Sequence, residues 1–241
     1  MLQKFRARSD ELEHLDTGDY TPAEYEGCLI ELRRVNRWLG DAWALQRTLL
    51  AEIERAGLPE FSALDVGAGS GELLRAAARW AREKGKRARL VGLEYNARSA
   101  RAICEESLEF SEIKALQGDA FALPFADDAF DYVFSSLFTH HFRDEQLVKI
   151  LQEMARVVRR GVFVIDLHRH PVAYAFYTTI GRLFLRNRLI REDGALSILR
   201  SFTPGELREL AEKAGLANVK VQRKFPYRLV LQAGLRKRFG S

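Results

Sequence analysis

Cysteine is scarce in this 241-residue chain: Cys28 and Cys104 are the only two, far apart and outside any Cys-x-x-Cys. A disulfide framework and a cysteine-rich zinc site are thereby excluded, and a reducing compartment is expected. No window approaches the roughly 18 consecutive apolar residues of a membrane-spanning helix. The opening, MLQKFRARSDELEHLD, has no apolar signal core. The expectation is a cytoplasmic protein without a transmembrane segment. Internal repeats and low-complexity tracts are lacking too, which excludes solenoid and disordered classes.

What is present fits one elaborated globular domain, with 47% hydrophobic and 29% charged residues. The net charge of +5 hides an asymmetry. Residues 1–142 hold 18 Lys+Arg against 24 Asp+Glu (−6), whereas residues 143–241 hold 20 against 9 (+11). A basic half is compatible with nucleic acid, an anionic membrane surface or an acidic substrate, and equally with a solvated arginine-rich face.

The first 20 residues are polar and expected to be only partly ordered. Thr21-Pro22-Ala23-Glu24 reads as a capping box with proline at the first helical position. The helix it opens repeats Leu29, Leu32, Val35, Trp38 and Leu39 and stops at Gly40. Asp41 is expected to cap a second helix closing at Gly57-Leu58-Pro59. From Phe61 onward SALDVG, ARLVGLE, IKALQG, FDYVFSSL and GVFVIDL read as strands, with amphipathic helices among them. That alternation predicts a parallel sheet covered on both faces. Residues 168–202 then interpose a long segment, and Thr203-Pro204-Gly205-Glu206 opens a further capped helix. Two last strands, NVKVQRKF and YRLVLQ, are linked so tightly around Pro226 that an antiparallel hairpin is expected at the sheet edge.

LDVGAGSGEL, residues 64–73, runs a strand through a glycine-rich turn into a helix. Gly67, Gly69 and Gly71 let the backbone turn sharply and approach a ligand without Cβ interference. Their spacing matches the dinucleotide fingerprint GxGxxG only approximately. Glu94 ends the next strand, where a carboxylate can accept from both hydroxyls of a ribose, and Asp119 follows the third strand in GDAFALPF. Three such strand ends in order define one crevice at the topological switch of an open sheet.

LDVGAGSGEL, GLEYN and QGDAFALPFADDAFDYVFSSLFTHHF together resemble the class I S-adenosylmethionine-dependent methyltransferases. They resemble most of all the small-molecule group, of quinone and polyketide type. The resemblance covers about residues 61–167. It implies an α/β, Rossmann-like, doubly wound sheet of seven strands, six parallel and the last antiparallel. Residues 1–57 would form a helical extension or cap, and 58–241 the methyltransferase domain with a lid-like insert at 168–202. S-adenosylmethionine would be the cofactor, leaving as S-adenosylhomocysteine. By position, Asp65, Gly67, Ala68, Gly69 and Gly71 would hold its methionine part and approach the ribose. Glu94 would take the ribose hydroxyls, and Tyr95 would stack near the adenine. Asp119 and Ala120 would bind the adenine edge, and Ser135 and Ser136 would line the path to the sulfonium.

Methyl transfer needs an in-line nucleophile held close, and a hydroxyl acceptor also needs a base, most often histidine. Three residues compete for that role, His140 and His141 after the fourth strand and His168 after the fifth, although the resemblance implies a structural or gating role for the adjacent pair ahead of a dedicated base. Asp166 stands in IDLHRHP with His168 and His170, is expected to be half-buried at the strand end, and is placed to orient one of those two. No metal site is expected, because adjacent histidines point apart and no acidic partner stands at ligand spacing. In the insert Tyr177, Ile180 and Phe184 recur at helical spacing, with Arg182 and Arg186 on another face. This helix, with Tyr174 and Tyr177 as acceptor contacts, would form a lid able to load from a membrane surface. Arg33 and Trp38 would close the pocket from the other side. The reading is O-methylation of a small aromatic or polyketide-like hydroxyl acceptor, ahead of C-methylation. Alternatives are RNA or protein as acceptor, or a cofactor-binding partner protein without turnover. Against nucleic acid, the fourth strand ends SSLF rather than the Asp/Asn-Pro-Pro-aromatic sequence of exocyclic-amine methylases.

Overall fold

Six of the seven residues of Glu60–Val66 (β1) are buried, so this strand is the centre from which the sheet grows. The computed structural model describes residues 2–21, 23–24, 27–28, 31, 40–181 and 185–235. The other strands are Arg87–Glu94 (β2), Ile113–Gln117 (β3), Phe130–Ser136 (β4), Val158–Leu167 (β5), Leu216–Lys224 (β6) and Arg228–Leu235 (β7). They form one sheet in the order β3-β2-β1-β4-β5-β7-β6. Only β7 runs against the rest, pairing antiparallel with β5 and β6. The expected seven-stranded, doubly wound α/β sheet is therefore found, hairpin included.

The described α-helices are His14–Thr17 (α1), Asp41–Leu45 (α2), Ala51–Arg55 (α3), Glu72–Glu83 (α4), Ala97–Glu106 (α5), Asp144–Val157 (α6), Pro171–Phe176 (α7), Arg188–Arg200 (α8) and Pro204–Lys213 (α9). On one face of the sheet Leu147, Ile150, Leu151 and Met154 of α6 and Leu207 and Leu210 of α9 pack on Val133, Val164 and Leu231. On the other, Leu45, Leu49 and Ile53 join Leu74, Ala77 and Ala78 of α4 against Tyr132, Phe134 and Phe163. Each fully buried leucine or phenylalanine contributes about 1.5–3 kcal/mol of transfer free energy, so these two layers carry most of the stability.

Both capping boxes form: Thr21 exchanges hydrogen bonds with Glu24, and Thr203 with Glu206. Pro22 and Leu29, Leu32, Val35, Trp38 and Leu39 lie outside the described residues. Two expectations are corrected. Asp41 caps nothing. Gly40, at φ +82°, takes the cap position, and the buried Asp41 carboxylate instead accepts from Arg228 Nε at 2.5 Å. The opening residues are placed rather than loose: Ser9 N donates to Leu199 O at 3.1 Å, and His14 N to Asp193 Oδ1 at 2.8 Å.

Candidate active site

The strand order reverses between β1 and β4, which opens a crevice at their carboxyl ends. Asp65 pairs with Gly92 on one side and with Phe134 on the other, so Ser135 lies one step past Asp65's partner. The turn between β1 and α4 exists because Gly67, Gly69 and Gly71 all take positive φ, at +74°, +56° and +80°. Its amides are spoken for on the β2 side: Gly67 N and Ala68 N donate to Leu93 O at 2.9 and 3.2 Å, and Gly69 N donates to Glu94 Oε2 at 2.9 Å. Gly71 N closes the turn on Ala68 O at 2.9 Å. A Cβ on Gly69 would meet nothing within 4 Å, whereas one on Gly67 would strike the Phe138 ring. The loop is thus open above Gly69 and walled by Phe138 at Gly67.

Glu94 ends β2 with its second oxygen accepting from Asn96 N at 3.2 Å, and Asp119 Oδ1 accepts from Phe121 N at 2.9 Å. Ala120 is buried, while Tyr95 is 76% exposed at the rim. Asp65 Oδ1 and Ser135 Oγ are buried with no hydrogen-bond partner among the described residues. Such orphans are rare in folded proteins, and a ligand bearing hydroxyl or ammonium donors would satisfy them. Burial, with Glu94 adding to it, raises the Asp65 carboxyl well above the usual range. This acidic, glycine-floored crevice fits the amino-acid and ribose parts of S-adenosylmethionine. Ser136 ends β4 at the same edge.

Beyond β4 the chain makes a short turn, Thr139–His141, over the end of β5. Its anchor is Asp166, wholly buried: Oδ1 accepts from His140 Nδ1 at 2.7 Å and from Leu167 N at 2.7 Å, and Oδ2 from His140 N at 3.1 Å and from Thr139 Oγ1. Burial pushes this carboxyl up, yet the His140 imidazole and the donated hydrogen bonds outweigh burial and bring it down to about 2. An ionised carboxylate only accepts, so of the two neutral tautomers the contact selects the one with the proton on Nδ1 and the lone pair on Nε2. Asp166 therefore orients His140, not His168 or His170.

The adjacent histidines do not point apart. Their rings stack 4.4 Å apart at 32°, and the buried Glu13 faces both at 3.9 Å. Two guanidiniums fix this turn. Arg8 donates to Phe142 O at 2.8 Å and His140 O at 3.3 Å; Arg200 donates to His141 O at 2.6 Å and His140 O at 3.3 Å. Glu13, Arg8, Arg200 and Phe138 carried no local sequence signal of this role.

His168 is elsewhere. It lines a cavity of about 310 Å³ with His170, Arg223, Lys224, Phe225 and Tyr227, on the hairpin side of β5. Burial first, then His170, Arg223 and Arg169, lower its pKa to about 4. Tyr174 packs edge-on to Phe5, and Tyr177 donates its hydroxyl to Ile190 O inside the insert. The single regular helix expected there is broken: after α7 comes a π-helical turn, Tyr177–Gly181. The wider turn puts Tyr177 inward while Ile180 stays 47% exposed, with Val172 and Phe176 also exposed. Arg33, Trp38, Arg182 and Phe184 lie outside the described residues.

Comparison with known proteins bears on the family and the fold. A family described as a methyltransferase domain matches residues 64–165. A demethylmenaquinone methyltransferase of Bacillus cereus is 31% identical over 197 residues, covering 75% of this chain and 78% of that relative. In fold, a SAM-dependent methyltransferase from Aquifex aeolicus superposes with a TM-score of 0.58 at 19% identity, covering 83% and 96% of the two chains. Magnesium protoporphyrin IX methyltransferase from Synechocystis PCC 6803, with bound SAH, gives 0.59 at 15%, covering 82% and 84%. No described helix is long and apolar enough to cross a membrane.

Proposed function

The chain belongs to the class I S-adenosylmethionine-dependent methyltransferases, and from that premise we propose that it methylates a hydroxyl of a small aromatic acceptor, with His140 taking the proton. The observation that carries this reading is the 2.7 Å contact of His140 Nδ1 with the buried Asp166, which leaves Nε2 as a lone-pair base. Bound S-adenosylmethionine supplies an already activated methyl group. The protein's part is to hold the donor on the glycine turn, Asp65, Glu94 and Asp119, and to present the acceptor oxygen in line. His140 accepts the hydroxyl proton at Nε2 as the oxygen attacks, and Asp166 stabilises the imidazolium that forms. Thr139, Arg8 and Arg200 keep the ring from turning away.

The demethylmenaquinone methyltransferase relatives support an aromatic, quinone-like acceptor. The exposed Val172, Phe176 and Ile180 support its arrival from a lipid surface. The basic carboxyl-terminal half fits such a surface as well as it fits RNA. The test is a panel of hydroxylated naphthalenes and quinols incubated with methyl-labelled cofactor, with mass spectrometry of the products. O-methylated aromatic product from wild type and little from His140→Ala is expected. Methylated RNA or protein, with no small-molecule product, would overturn the reading.

A further inference from the structure

One set of donors beside the base is left unused by the reaction above. Glu13, His140 and His141 offer a carboxylate oxygen and two imidazole nitrogens that all lie within 4.8 Å of one another. Glu13 Oε1 stands 3.9 Å from His140 Nε2, and Glu13 Oε2 stands 3.9 Å from His141 Nδ1. Both separations are too long for hydrogen bonds. They suit ligands of one ion, because metal–ligand bonds of about 2.0–2.2 Å set ligand atoms roughly 3–4 Å apart.

The surroundings resemble the outer shell of a metal site. His140 has its other nitrogen tied to Asp166, the carboxylate–histidine arrangement that fixes tautomer and ring orientation in such sites. Ser197 Oγ donates to Glu13 Oε1 at 2.8 Å, and Arg8 and Arg200 hold the backbone of the histidine turn. Glu13 and His140 are 3% and 4% exposed, whereas the His141 side chain keeps 28% of its surface and gives an ion a way in. Two imidazoles and one carboxylate leave a coordination position open. The nitrogen-rich set favours zinc-like ions over magnesium or calcium, which take oxygen ligands.

We propose that Glu13, His140 and His141 bind one divalent transition-metal ion, of which Zn²⁺ is the type, and that the bound ion silences methyl transfer by occupying the Nε2 lone pair of His140. The first half stands on ligand geometry alone. The second rests on the reading of His140 as the base.

The test uses the full untagged chain, stripped with EDTA. Calorimetric titration with ZnCl₂ should give one ion per chain, and Co²⁺ should develop a visible d–d absorption band. Glu13→Gln and His141→Ala should each weaken uptake by about tenfold or more while S-adenosylhomocysteine binding, read in parallel, shows both variants folded. No stoichiometric uptake, or uptake unchanged in both variants, overturns the site. In the wild type, methyl transfer should fall in step with Zn²⁺ occupancy and return with EDTA. Uptake without loss of activity would keep the ion site, overturn the silencing and remove His140 from proton transfer.

Discussion

Asp166 holds His140 by ring and backbone at once, accepting from Nδ1 at 2.7 Å and from the amide at 3.1 Å. A base fixed this firmly is sensitive to loss of either partner. His140→Ala should lower kcat by about 10²–10⁴-fold, and Asp166→Asn by on the order of 10²-fold, with the dissociation constant for S-adenosylhomocysteine nearly unchanged. His168→Ala, in the separate hairpin cavity, should leave kcat within about twofold, a change too small to reflect a lost base. Equal losses at 140 and 168 in steady-state kinetics would refute the assignment.

The cofactor floor makes a second prediction. A side chain on Gly69 enters the open space above the loop, and φ +56° strains it further. Gly69→Arg should abolish calorimetric binding of S-adenosylhomocysteine. Glu94→Ala should weaken it by about tenfold or more, the cost of two lost hydrogen bonds to a charged acceptor. Undiminished binding in both variants would move the site elsewhere.

Acid should remove what Asp166 contributes. Its pKa falls from 3.8 to about 2 on folding. A depressed carboxyl gives stability that is present above the unfolded value and lost as pH falls through the folded one. The contribution is therefore complete at neutral pH and fades between about pH 4 and pH 2. In unfolding followed by circular dichroism, Asp166→Asn should be the less stable protein at pH 7. It should converge on the wild type near the acid end.

Arg228 is 2% exposed and is neutralised by Asp41, which is 5% exposed. Asp41→Ala leaves that guanidinium buried and uncompensated, a change that costs about 3–5 kcal/mol. Urea unfolding should show it, and adding Arg228→Met should recover most of the loss. A single variant within about 1 kcal/mol of wild type would show that the pair carries little weight.

The sheet was legible because β1, β2, β4 and β5 carry apolar runs and amphipathic helices fill three of the four connections from β1 to β5, β3 and β4 being joined by a loop. The crevice was legible because three glycines and two acidic residues fall at consecutive strand ends. Local chemistry of that kind leaves a local trace, as the two capping boxes do. Asp41 misled because it has the right residue type for a cap. Arg228, 187 positions away, recruits its carboxylate, and Gly40 replaces it in the turn. Asp166 read as an orienter of His168 or His170 because sequence adjacency stood in for direction. The strand instead aims it at the turn after β4. Glu13 was invisible, since nothing near it in sequence refers to the histidines. The insert deceived through periodicity: a π-helical turn at Tyr177–Gly181 rotates the faces that a 3.6-residue repeat assigns.

The tie between Arg8, His14 and the helix Arg188–Arg200 also has a history in time. Arg8 Nε bonds Arg200 O across 192 positions, and His14 N bonds Asp193 across 179. The segment around Arg8 and His14 thus has no place to dock until the chain as far as Arg200 has emerged. Closing loops of that length is slow relative to the local pairings of the sheet. The histidine turn should accordingly gain its cover in the final folding phase, after the cofactor floor has already formed.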